Sequence, residues 1–213
     1  MLAIVRIRRT YAEPSFHETT SGRKKPASSV RLALVAVFAA LIALLTIFSI
    51  PFPPPLYELT LAPAVYFALS VMVDPWTAFS AIAVGSFVGE TYNIASRGGL
   101  PIFIAGIVWA RAPEALIISR ARGKSWKAMA GIMVLATVYE TLAFFIPDWL
   151  FYTYGLFSYG SPTDAVTGFY AALPDLLTML DAAFIPIALV IMKTAGPRFR
   201  QLGFVEGSKP SPV

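Results

Sequence analysis

The chain predicts an all-α membrane protein: a polytopic bundle of six transmembrane helices with both termini in the cytoplasm. Three observations predict it. Of its 213 residues, 57% are apolar, and the mean hydropathy is +0.68, which is more apolar than a soluble domain of this size. The apolar residues gather into about six stretches, each near the roughly 20 residues that cross a bilayer. Backbone groups cannot stay unsatisfied in lipid, so each stretch is expected to be helical. Finally, with the N-terminus inside, 15 of the 17 lysines and arginines fall on the cytoplasmic side, as the positive-inside rule requires. They lie before segment one (Arg6 to Arg31), between segments four and five (Arg120, Arg122, Lys124, Lys127), and at the end (Lys193, Arg198, Arg200, Lys209). Arg97 falls outside, and Arg111 within a segment.

Three regions follow: a disordered basic cytoplasmic tail over 1–30, a transmembrane domain over 31–195, and a cytoplasmic tail over 196–213. Segment one, about 31–50, leads into a rigid proline-rich loop, Pro51–Glu58. Segment two, about 59–73, is short enough to need tilt or extension by its flanks. Asp74-Pro75-Trp76 makes an inner turn before segment three, about 77–95. Ser96-Arg97-Gly98-Gly99 turns outside into segment four, about 100–119. The basic inner loop precedes segment five, about 128–147. An aromatic-rich outer stretch, 148–170, is expected as an interfacial belt or as a lid. Segment six, about 171–193, ends inside.

Several classes are excluded. With no cysteine, the chain has no disulfide, thiolate metal site or cysteine nucleophile. The single histidine, His17, sits in the polar tail, against a histidine metal centre or a buried Ser-His pair. The net charge of +5 sits at membrane edges, where anionic lipid explains it without nucleic acid. No small-x-small cleavage site follows the first apolar run, so no cleavable signal peptide is expected. No catalytic residue and no metal ligand is assigned.

Charged residues in lipid cost about 2.5–3.5 kcal/mol each on insertion scales, so their depth is informative. Glu90, Glu140 and Asp175 are each expected about 6–10 Å below the outer boundary. Helical spacing groups Ser86, Glu90 and Asn93, then Thr137, Glu140 and Thr141, then Asp175, Thr178 and Asp181. Such stripes should face the bundle interior or a wet cavity. Acids without opposing bases suit a cation or a ligand with several N–H donors. Tyr92, Trp109, Tyr139, Trp149 and Tyr170 are the aromatics expected to stack on its ring or hold its charge, with Tyr92, Tyr139 and Trp149 foremost. The substrate-binding set is therefore Glu90, Asn93, Glu140, Asp175, Tyr92, Tyr139 and Trp149. Deeper, Arg111 and Asp181 are expected to form a structural ion pair, with Glu114 as an alternative partner.

Segment one carries small residues at Ala33, Ala36, Ala40 and Ala43, with Ala39 overlapping. Such stripes allow another helix to approach, within the bundle or from a partner. Gly85 and Gly89 read as close packing inside the bundle.

These residues carry a resemblance. Ala36-Val-Phe-Ala-Ala40, Ile50-Pro-Phe-Pro-Pro-Pro55 with a short second helix, and Gly85-Ser-Phe-Val-Gly89-Glu90 resemble the substrate-binding S component of energy-coupling-factor (ECF) vitamin transporters. The similarity spans about residues 31–195. It implies a six-helix bundle in the cell membrane with a substrate pocket open to the outside. It implies docking through Ala36, Ala39, Ala40 and Ala43 on a transmembrane coupling subunit bearing two cytoplasmic ATPase subunits. ATP would be used by those partners, and this chain would hold no cofactor and be no enzyme. No G-x-x-x-x-G-K-[ST] sequence is present. Pocket residues differ among S components, so the acid set rests on depth alone. Two other readings stay open: an autonomous small-molecule carrier, and an intramembrane enzyme using a carboxylate pair.

Overall fold

The computed structural model describes residues 28–51, 58–157, 159–201 and 204. The basic tail with His17, most of the proline-rich loop and the extreme C-terminal residues lie outside the described residues. The described chain is almost wholly helical.

Helix α1, Ser28–Ile47, buries Ala39, Ile42, Ala43 and Thr46. It packs on α3, Pro75–Arg97. The two backbones meet because α3 offers Gly85 and Gly89 at the contact. A Cβ on Gly85 would stand 2.7 Å from the Ala39 carbonyl oxygen, and one on Gly89 2.7 Å from Thr46 Cβ. This small-xxx-small approach is the one the spacing predicts. Arg97, the basic residue expected outside, closes the end of α1. Its Nη2 donates to the Ile47 carbonyl (2.9 Å) and its Nη1 to Ser49 Oγ (2.6 Å). It thus satisfies a carbonyl that the helix end leaves open, at the end where a cation is favoured.

Two residues on each side of the proline-rich loop pair antiparallel: β1, Ile50–Pro51, and β2, Glu58–Leu59. Helix α2, Ala62–Met72, follows, its first amide donating to Thr60 Oγ1 (2.8 Å). It is apolar all round, and every residue but Val65 is buried, as expected of a helix with no polar face. At 11 residues it is about 16 Å long, shorter than the hydrocarbon core of a bilayer. Its last turn is closed by Arg122, whose Nη2 donates to the Ser70 carbonyl (3.0 Å).

Asp74 caps α3, accepting from the Thr77 amide (3.1 Å) and the Thr77 hydroxyl, with Pro75 at the first helical position. Helix α4 spans Ile102–Ser119 and α5 spans Trp126–Tyr154. Both contain a proline, and each proline removes the N–H that would serve the carbonyl four residues earlier. Pro113 frees the Trp109 carbonyl, which accepts from the Tyr139 hydroxyl (3.1 Å). Pro147 frees the Ala143 carbonyl, which accepts from Trp109 Nε1 (3.0 Å). The two helices repair each other, so α5 passes Pro147, where the sequence suggested an end, and runs seven residues further.

The aromatic outer stretch is therefore mostly helix. Gly155, in the left-handed conformation (φ 61°), ends α5. Asp164 then caps α6, Ala165–Ala172, accepting from the Val166 and Thr167 amides. Its hydrogen bonds with Thr167 hold its carboxyl below the ordinary range. A 3₁₀ segment, Leu173–Phe184, joins α6 to α7, Ile185–Gln201. Twelve residues is long for a 3₁₀ run, in which positions three apart eclipse. Asp175, Thr178, Asp181 and Phe184 consequently stand in one line.

Four stretches are long and apolar enough to cross a membrane: α1, α4, α5 and the continuous Ala165–Gln201. Helix α2 is apolar but short, and α3 is long but more polar. Large apolar side chains, among them Leu32, Val37, Phe87 and Leu135, are exposed, where a soluble bundle would place polar ones. Among the described residues the chain is helical apart from the short β1–β2 pair, and its four long apolar stretches mark it as a membrane protein.

Candidate functional site

All three polar stripes turn inward. Ser86 and Asn93 on α3, Thr137, Glu140 and Thr141 on α5, and Thr178 and Asp181 on the 3₁₀ segment are buried. They divide into a cavity near the helix ends and a buried cluster beneath it.

The cavity, about 280 Å³, lies where α1 and α3 end and α4 begins, opposite the Arg120–Lys127 loop. Glu90, Asp175, Thr46 and Thr178 supply its polar wall, and Phe103 and Phe144 its aromatic wall. Arg111 forms its inner limit. Asp175 is braced from behind. Its carboxyl lies within hydrogen-bonding reach of Asp148, the first residue past Pro147 in α5. Ionised carboxylates only accept, so this contact requires one proton shared by the pair. Tyr159 donates its hydroxyl to Asp148 Oδ1 (2.8 Å). Burial, then the Asp148 carboxylate, push that phenol well above its ordinary range, so it stays a donor. Thr178 joins the 3₁₀ segment to α5 through the Thr141 hydroxyl (2.9 Å).

The inner cluster joins four elements. Arg111 of α4 bonds Glu140 of α5, Nε to Oε1, at 2.9 Å. The guanidinium also sits over the Tyr66 ring, 5.9 Å from its centroid, close enough for a cation–π contact. The Tyr66 hydroxyl, from α2, lies 3.2 Å from Glu140 Oε2 and 3.1 Å from Asp181 Oδ2. Glu114, one turn along α4 from Arg111, is fully buried, and neither of its oxygens has a hydrogen-bond partner. Among the described residues, no group of three His, Cys, Asp or Glu is arranged to hold a metal ion.

The expected site is therefore redrawn. Glu90 and Asp175 line the cavity. Glu140 leaves their layer: with α5 ending at Tyr154, it lies 14 residues from the helix end, about 21 Å along the helix, and it joins Arg111 below the cavity. Arg111 bridges directly to Glu140, and the anticipated partner Asp181 joins the cluster through Tyr66. Asn93 turns toward α1, donating to the Thr46 carbonyl (3.2 Å). Tyr92 points outward, 53% exposed. Tyr139 serves the Trp109 carbonyl. Trp149 fastens α6, its Nε1 donating to the Ala165 carbonyl (2.8 Å) beside Phe145 and Phe169. None of these three aromatics lines the cavity. Ala39 and Ala43 are buried against α3, whereas Ala33, Ala36 and Ala40 stay exposed. The small-residue face available to a partner is thus Ala33, Ala36 and Ala40.

Tyr66, Asp148 and Thr46 are central here and were not singled out by sequence. Tyr66 is one aromatic in an apolar run, and Asp148 follows a proline that suggested a helix end. Thr46 carried a weak signal, being the one hydroxyl in the last two turns of α1.

The role of Tyr139 predicts a mutation outcome. Tyr139→Phe should leave the Trp109 carbonyl unpaired in an apolar setting, lowering stability by about 1–3 kcal/mol. Thermal unfolding of the purified variant beside wild type checks it.

Family models, curated proteins and solved structures were all compared with the chain, and none matches.

Proposed function

We propose that this protein is the substrate-capturing subunit of an ECF-type importer in the cell membrane. In this reading it crosses the membrane six times, with both termini cytoplasmic. It binds a small, vitamin-like, amine-bearing or cationic ligand from outside. It docks on a transmembrane coupling subunit that carries two ATPase subunits.

The observation that carries the reading is the cavity. It opens between helix ends on the side opposite the basic loop, and that loop is cytoplasmic under the positive-inside rule. Its Glu90 and Asp175 offer acceptors to a cation, and Phe103 and Phe144 offer ring faces. The outward face of Ala33, Ala36 and Ala40 supports the docking half of the reading. Small residues there let a partner helix come close.

A tagged copy purified from its native membranes in mild detergent should bring down a membrane protein and ATPases. Ala40→Leu should lose both partners while keeping the fold. A partnerless wild-type protein that nonetheless transports substrate in liposomes would replace this reading with an autonomous carrier. Fully buried Glu114, whose oxygens lack donors, is the observation that favours the carrier, since carriers use buried acids as proton relays.

A further inference from the structure

Three residues of the cavity wall each carry a buried polar atom with no protein partner: Thr46 Oγ1, Asp175 Oδ2 and Arg111 Nη1. Buried polar atoms are nearly always paired, so unpaired ones converging on one cavity call for an explanation. A bound ligand supplies it. The Thr46 hydroxyl can donate or accept, and the other two atoms specify the ligand's polarity. Asp175 Oδ2 needs a donor, and Glu90 adds a second acid to the same cavity. Arg111 Nη1 needs an acceptor.

The surroundings of Arg111 decide the charge of that acceptor. Arg111 is 6% exposed, and its Nε is already committed to Glu140 at 2.9 Å. Tyr66 ties Asp181 to the same Glu140. Glu114 lies one helical turn away and is fully buried. Three carboxyl groups thus surround one guanidinium. The Arg111 charge is already matched by Glu140, so a ligand carboxylate or phosphate would bury an anion that no remaining cation of the cluster balances. A neutral oxygen would take the Nη1 hydrogen bond without that cost.

We infer that the cavity selects a small ligand bearing an ammonium group at one end and a neutral carbonyl-type acceptor at the other. The ammonium sits at Asp175 and Glu90, the acceptor at Arg111, and an apolar or aromatic body lies along Phe103 and Phe144. The volume, about 280 Å³, falls just below the range of drug-sized pockets and suits a molecule the size of an amino-acid amide. This inference rests on the amine-bearing reading proposed above and narrows it.

Four matched series test it on the full chain in detergent, by titration calorimetry and thermal shift. They are the amides of apolar and aromatic amino acids, the parent amino acids, the corresponding decarboxylated amines, and the N-acetylated amides. The amides should bind at least about ten-fold more tightly than each other series, because a site built for a hydrogen bond discriminates against ligands that leave it unpaired. Asp175→Asn should erase the preference for amides over N-acetylated amides. Amino acids or bare amines binding as well as the amides would overturn the neutral-acceptor assignment and leave the amine-bearing reading standing. N-acetylated amides binding as well as the amides would overturn the amine-bearing reading itself. Absence of binding in all four series would overturn the inference.

Discussion

Glu140→Ala is expected to cost about 3–5 kcal/mol, because removing one partner of a buried ion pair strands the other. The Arg111 guanidinium would remain between α2, α4 and α5 with its Nε acceptor gone and Nη1 already unpaired. Tyr66 would keep only its contact with Asp181. In a chain of this size the loss corresponds to roughly 6–20 °C in melting temperature. Glu140→Gln keeps the volume and one acceptor and should cost less. Arg111→Met combined with Glu140→Leu should be more stable than Glu140→Ala, since it removes both members of the bridge and leaves no guanidinium stranded. Melting curves of the three variants in one detergent check this. A Glu140→Ala protein as stable as wild type would mean that the bridge does not hold the helices together.

The same cluster shows what the sequence disclosed and what it hid. Inward-facing polar stripes were legible, because spacings of three and four are preserved by any helix. The spacing of three in Asp175, Thr178 and Asp181 was more telling than it looked, since a 3₁₀ segment stacks such residues in one line. The all-helical class and the Gly85–Gly89 contact were legible for a similar reason: both are properties of a single segment. Depth was not, because it needs a helix end. Pro147 suggested one, and only a tertiary partner, the Trp109 indole on the Ala143 carbonyl, lets α5 continue. From that one displaced end came two errors, the layer assigned to Glu140 and the loop assigned to Asp148. The choice of Glu140 as Arg111's partner also depends on how α4 and α5 face each other, which no spacing within one helix reveals. Aromatics misled in another way. Tyr139 and Trp149 read as ligand-stacking residues by type, but their polar ends serve backbone carbonyls. For the Trp109 carbonyl, freed inside α4 by Pro113, a membrane interior would offer no water in place of Tyr139.

Gly85→Leu is expected to cost about 3 kcal/mol or more, at the upper end of overpacking. Most buried positions absorb a larger side chain by moving a neighbouring one. Here the nearest atom to an added Cβ is the Ala39 carbonyl oxygen at 2.7 Å, and backbone cannot rotate aside. Relief requires α1 to move off α3. Such a shift would displace Thr46 from the cavity wall and re-aim Ala36 and Ala40, so binding and docking should fail together. Ala40→Leu adds bulk to the same helix on its exposed side and should change stability by no more than about 0.5 kcal/mol. The pair therefore separates packing from partnership: both variants are melted and both are tested for recovery of partner proteins. Loss of partners with an unchanged melting temperature in Ala40→Leu, beside a large drop in Gly85→Leu, assigns the alanine face to docking. If Gly85→Leu melts like wild type, α1 is not held by this contact, and the outward aim of Ala36 and Ala40 loses its support. A destabilised Ala40→Leu would instead mean that this face is packed within the bundle, and its lost partners would carry no weight.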